Sequence, residues 1–166
     1  MLAFAEVWIT AFDCADIYTG VEALIGRFLR EWSARHGTDA PRIRVHTKCV
    51  PDLDLLPALT RADLERTIDR SLRRLGVERL DLVQFHWWDC AIPGFVEAAL
   101  HLTAMQREGK IDRIGATNFD TPHLRALLDA GVPVVTHQVQ LSLLDRRALG
   151  DMSALCATTG VRLLAF

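Results

Sequence analysis

An α/β fold, a (β/α)8 TIM barrel carried here only in part with about six β/α units, is what three features of this 166-residue chain predict. Extended apolar runs alternate with amphipathic helical runs along the whole length, with no low-complexity linker, so residues 1–166 read as a single partial barrel domain. Asp13, Lys48, His86 and Asn118 each close a different strand, at the end where barrels gather their working side chains. Neither G-x-G-x-x-G nor G-x-x-x-x-G-K-[ST] occurs, so the phosphate loop that an open, doubly wound sheet needs is missing.

Residues 9–12 predict the first strand, which delivers Asp13. The spacing of Leu24, Ile25, Phe28 and Leu29 predicts a helix over 20–35. Residues 42–47 form the second strand. Thr60 and Asp63 stand as a capping box ahead of Leu64, Ile68, Leu72 and Leu75, and Gly76 stops that helix. The third strand covers 80–85, a helix runs near 94–107, and the fourth strand covers 113–116. Thr121 caps the next helix with Pro122 at its first position. A strand over 133–139, a helix near 145–158 and a strand over 161–166 complete the order. Helical crossovers between strands make the sheet parallel, with right-handed connections. Period-two alternation sets Arg44, His46 and Lys48 on one face of their strand and Leu80, Leu82, Gln84 and His86 on one face of theirs, both turned into the barrel.

Half of the residues are apolar and the formal charge is −2, which suits one sizeable core. Scattered arginines on a near-neutral chain leave no electrostatic footprint for nucleic acid. No apolar run has the length of a membrane span, and the apolar start Met1 to Ala5 lacks a basic segment and leads into Glu6, which argues against a cleaved leader. The expectation is a soluble, cytoplasmic protein. Cys14, Cys49, Cys90 and Cys156 form no C-x-x-C pair and read as core thiols; Cys14 and Cys49 adjoin site residues, but alternation turns them away from the mouth. The six histidines include no H-x-H or H-E-x-x-H pair, which argues against a metal-dependent hydrolase.

Tyr18 is the only tyrosine, and Lys48 is one of two lysines against seventeen arginines. An ammonium packed against a phenol eases loss of the phenolic proton, a task for which arginine holds its own proton too tightly. Asp13, Tyr18, Lys48 and His86 therefore read as a proton-delivery set.

Five stretches, Asp13-x-Ala15-x-x-Tyr18, Thr47-Lys48, Asp81 to His86, Gly109 to Phe119 and His137-Gln138-Val139-Gln140, occur in this order. Together, over nearly the whole chain, they resemble the aldo-keto reductase superfamily. The resemblance implies a (β/α)8 barrel that reduces an aldehyde or ketone to an alcohol with a nicotinamide cofactor, NADP(H) usually and NAD(H) otherwise. It implies Tyr18 as proton donor, Lys48 against the phenol, Asp13 pairing with Lys48, and His86 orienting the carbonyl. Asn118 and Gln138 match positions that bind the nicotinamide carboxamide, Thr117 replaces the usual serine, and Phe166 matches the aromatic that stacks on the ring. Trp87 and Trp88 follow His86 and wall the substrate site, with core packing of one of them as the alternative.

The chain also departs from the family pattern. A complete barrel takes about 250 residues, and this sequence is expected to carry strands two to seven, without the first and eighth and without the loops that grip the cofactor's phosphates. Two open sheet edges are expected to follow. Trp8 stands where relatives have glycine ahead of the second strand. The alternative reading is an impaired or truncated relative that serves as a binding or regulatory module. Substrate, oligomeric state and cofactor preference stay open.

Overall fold

A computed structural model describes residues 1–37 and 40–166. A short helix α1 (Leu2–Glu6) precedes the six strands β1 (Ala11–Asp13), β2 (Arg44–Cys49), β3 (Leu80–His86), β4 (Ile111–Thr117), β5 (Val134–Val139) and β6 (Arg162–Ala165). All neighbouring pairs are parallel and the sheet follows chain order from β1 to β6. A doubly wound sheet reverses its strand order at a switch point. This one curls in a single direction as an incomplete (β/α)8 barrel wall, with β1 and β6 as its edges.

Helices α2 (Val21–His36), α3 (Arg61–Leu75), α4 (Phe95–Arg107), α5 (Thr121–Asp129) and α6 (Asp151–Thr159) connect the strands. The core lies between them and the sheet's outer face, where Val45, Cys49, Val83, Phe85 and Ala116 meet Leu64, Ile68, Leu102 and Leu124. The capping box forms as expected: Thr60 Oγ1 accepts from the Asp63 N–H and the Asp63 carboxylate accepts from the Thr60 N–H. Gly26 lets α2 and α3 cross closely, because a Cβ there would collide with the Arg74 and Leu75 carbonyl oxygens.

On the inner face, register rather than sequence proximity assembles the neighbours. Asp13 lies opposite His46, Lys48 opposite Gln84, Gln84 opposite Gly115, Gly115 opposite Thr136, and Thr117 opposite Gln138. Cys14 and Cys49 are fully buried on the helix side, and burial pushes the Cys14 thiol up to about 11 and the Cys49 thiol higher still.

The structure differs locally from the sequence expectation. Asp120, not Thr121, caps α5, its carboxylate accepting from the His123 N–H, and Pro122 follows within the first turn. The helix expected from 145 begins at Asp151. Ser142 Oγ accepts from the Leu144 and Asp145 N–H groups and the Asp145 carboxylate accepts from the Arg147 N–H and guanidinium, so short side chains satisfy the backbone locally in place of a helical turn. A 3-10 turn at Leu53–Ala58 and α1 carried no sequence expectation.

Trp8 sits at φ +69, left-handed backbone that glycine adopts freely, with its side chain 78% exposed. Trp8→Gly is expected to raise stability by roughly 1 kcal/mol, read as an upward shift of the urea midpoint.

His137 is fully buried, and its ring Nε2 pairs with the Phe119 carbonyl. Burial pushes its pKa below the ordinary 6.5. The folded state therefore holds the neutral ring while the unfolded chain takes up a proton, so this contribution is complete above about 6.5 and is lost as pH falls, at up to about 1.4 kcal/mol per pH unit. Urea midpoints measured from pH 7.5 down to 6 should fall, and His137→Gln should flatten that fall.

Candidate active site

The inner-face register carries three of the expected site residues, Asp13, Lys48 and His86, to the C-terminal ends of β1 to β3. Lys48 Nζ donates to Asp13 Oδ2 and, at 3.0 Å, to the Cys14 carbonyl. The Lys48 side chain is 10% exposed and that of Asp13 40%, because Asp13 ends an edge strand. Asp13 Oδ1 accepts from Gln84 Nε2 at 2.7 Å and from Gln138 Nε2 at 3.2 Å. One carboxylate thus gathers an ammonium and two amides from three strands.

After Asp13 the chain continues alongside β2 through Cys14 N–H to the His46 carbonyl and Asp16 N–H to the Lys48 carbonyl, then turns through Tyr18 N–H to the Ala15 carbonyl. That turn swings Tyr18 over the mouth, where Lys48 Nζ lies 5.7 Å from the centroid of its ring. Tyr18 is half exposed, and its hydroxyl takes no hydrogen-bond partner among the described residues. The phenol is therefore open to an incoming acceptor.

His86 stands across the mouth, its ring edge-on to Trp88 at 4.7 Å between centroids. Burial pushes its pKa below the usual histidine value, and the Thr117 carbonyl opposes that. The ring is then neutral at neutral pH and offers a hydrogen bond without a charge.

Asp13, Tyr18, Lys48 and His86 line a single cavity of about 310 Å³ together with Trp88, Thr117, Asn118, Gln138 and Phe166. Asn118 holds φ +61, a left-handed conformation asparagine tolerates, and its backbone N–H bonds the Gln138 carbonyl, which brings the two residues together at the cavity wall. Phe166 is tied to β5, its N–H on the Val139 carbonyl at 3.2 Å and its carbonyl accepting from Leu141 at 3.4 Å. A second cavity of about 620 Å³ shares Asn118 and Phe166 with the first and extends toward Arg147 and Met152.

Trp87 takes the core-packing alternative expected for one of the two tryptophans. It is only 3% exposed, packs 5.9 Å from Phe85 between ring centroids, and donates its indole N–H to the Ile92 carbonyl. Alternation continues past His86, so Trp87 falls on the helix side with Phe85. Only Trp88, 52% exposed, reaches the cavity, its indole N–H held by the Pro51 carbonyl at 2.8 Å.

Sequence reading missed the support beneath the Tyr18 turn. Asp16 is buried, accepts from the Val50 N–H at 3.1 Å and from Arg70 at 3.0 Å, and its carbonyl accepts from Arg74 at 2.8 Å. Arg74 also reaches Glu22 at 3.2 Å, and Glu22 accepts from the Thr47 hydroxyl at 2.8 Å. Burial pushes Asp16 up to about 6, against the Val50 N–H and Arg70. The readable signal was Arg70 and Arg74, four apart on one helix face, opposite two acids flanking Tyr18. No group of three or more His, Cys, Asp or Glu side chains placed to hold a metal ion occurs among the described residues, and no helix there is long and apolar enough to cross a membrane.

Comparison with known proteins follows the same lines. A methylglyoxal reductase, DkgA, of Salmonella typhimurium is 38% identical over 151 residues, covering 90% of this chain and 50% of that protein. An NADH-specific methylglyoxal reductase of Escherichia coli K12 is 28% identical over 157 residues, covering 84% of this chain and 45% of that protein. The structure of an aldo-keto reductase from Klebsiella pneumoniae in complex with NADPH superposes with a TM-score of 0.81 at 26% identity, over 99% of this chain and 55% of that one. The chain spans about half the length of the curated relatives it matches. The family model for the aldo/keto reductase family matches residues 1–166, and the chain belongs to that family.

Proposed function

We propose that this chain carries the reducing site of an NAD(P)H-dependent carbonyl reductase acting on a small aldehyde or ketone. The observation that carries the reading is the convergence of Asp13, Tyr18, Lys48 and His86 on one cavity whose remaining wall is Thr117, Asn118, Gln138 and Phe166. A dinucleotide suits these residues: two adjacent amides meet the donor and acceptor of a carboxamide, an aromatic face flanks them, and the adjoining cavity offers room past Asn118 and Phe166. Asn118, Gln138, Thr117 and Phe166 would hold the nicotinamide end, and reduced nicotinamide supplies hydride to the carbonyl carbon.

The chain's own side chains manage the oxygen. His86, neutral and steadied by Trp88, donates a hydrogen bond that orients the carbonyl. Tyr18 donates its phenolic proton to the oxygen as negative charge develops there, since an alkoxide in a small apolar-walled cavity is strongly disfavoured. Lys48 compensates the charge left on the phenol, and Asp13 keeps the ammonium aimed. Trp88 supplies apolar surface for the substrate. NADP(H) is the first choice of cofactor, by likeness to the Klebsiella pneumoniae protein crystallised with NADPH, and NAD(H) the second, by likeness to the NADH-specific relative. Methylglyoxal, named in both curated relatives, is the substrate to try first.

Steady-state oxidation of NADPH with methylglyoxal, followed by absorbance, tests the reading. Tyr18→Phe should lower kcat by roughly a hundredfold or more and leave the cofactor KM near that of the parent. Equal turnover in the two proteins would remove Tyr18 from its role. Absence of NADPH binding at millimolar cofactor would instead favour a noncatalytic binding module.

A further inference from the structure

Among the described residues Gln84 is the one side-chain amide at 0% exposure, and it lies on the inner face. Its Nε2 donates to Asp13 Oδ1 at 2.7 Å, while its Oε1 has no partner among the described residues. A leucine of similar shape would avoid that orphaned oxygen, so the amide is retained at a cost to stability. The chain also leaves room for it: opposite Gln84 in register stands Gly115, where a Cβ would come within 3.3 Å of Gln84 Cγ and 2.5 Å of Thr136 Oγ1.

Asp13 Oδ1 has a second donor, Gln138, but at 3.2 Å and from a residue whose amide the proposed cofactor would claim. Once Gln138 turns to a ligand, Gln84 is the remaining amide on Oδ1. Asp13 sits at an exposed sheet edge, and without that anchor its carboxylate is free to rotate toward water and away from Lys48.

We propose that Gln84 is a positioning residue of this site, pinning Asp13 Oδ1 so that Oδ2 stays on Lys48 while Gln138 serves a bound ligand. The proposal rests on the reductase reading for its kinetic consequence and on geometry alone for its structural one.

Crystal structures, thermal unfolding and steady-state kinetics of the parent, Gln84→Leu, Gln84→Met and Gln84→Glu test it. The leucine and methionine variants should show Asp13 rotated off Lys48 and lose roughly tenfold to a hundredfold in kcat, with an unfolding temperature near the parent's because relief of the orphaned Gln84 Oε1 offsets the weakened Asp13–Lys48 tie. Their NADPH KM should stay within about twofold of the parent value. In Gln84→Glu the new carboxyl faces Asp13 from β1, His46 and Lys48 from β2, and His86 from β3. Protonated, it can donate to Asp13; ionised, it repels it, so relative to the parent its rate should be held at acid pH and fall as pH rises. Should both apolar variants fail to fold, that difference in pH profile decides. Parent-like kcat in the leucine and methionine variants, an Asp13 unmoved against Lys48 in their crystals, or a Gln84→Glu profile parallel to the parent's would overturn the proposal. A parent with no turnover would sink the reductase reading alone, and the orientation of Asp13 in the crystals would still decide the role of Gln84.

Discussion

The Lys48 ammonium, held between the Asp13 carboxylate and the Cys14 carbonyl, ties the end of β1 to the end of β2, and the rest of the mouth is built from that joint. β1 is three residues long and has a partner on one side only, so backbone pairing alone is a weak hold on it. The ion pair adds a side-chain tie where the strand stops. Its worth is on the order of 1–3 kcal/mol, below that of a fully enclosed pair because Asp13 is partly solvated. Position matters more than energy here: the same joint sets where the Tyr18 turn begins.

Beneath the turn, charge is spent in the opposite way. Asp16, Glu22, Arg70 and Arg74 are held by charge-assisted hydrogen bonds on the helix side, with both carboxylates buried and both guanidinium groups reaching in from α3. The turn is thus clamped from both sides, by Lys48 within the barrel and by α3 outside it. The proposed role of Tyr18 as proton donor calls for that kind of support, because small displacements of a reacting group lose rate steeply.

Much of the fold was legible because the sequence repeats a simple physical alternation. Strand ends carried the polar residues, Thr60 and Asp63 announced α3, and parallel order followed from the crossovers. Two differences at helix starts share a cause, the competition of short side chains for backbone groups: Asp120 displaces Thr121 as a cap, and Ser142 and Asp145 hold residues ahead of α6 out of the helix. Trp87 was readable from alternation yet was grouped with Trp88 by adjacency. Gln84 lay inside a recognised motif and on the inner face, but only cross-strand register showed it against Asp13, and register between strands separated by a helix is not written in either strand alone.

Lysine stands at position 48 in a chain that otherwise prefers arginine, seventeen to two. A compact ammonium fits between Asp13 Oδ2 and the Cys14 carbonyl while facing the Tyr18 ring; a planar guanidinium does not fit that slot in the same way. The measurement is kcat for methylglyoxal reduction by Lys48→Arg, with NADPH binding followed by fluorescence in the same protein. Binding should survive and kcat should drop by roughly a hundredfold or more; turnover at the parent rate with arginine in place would contradict a need for the ammonium at this position.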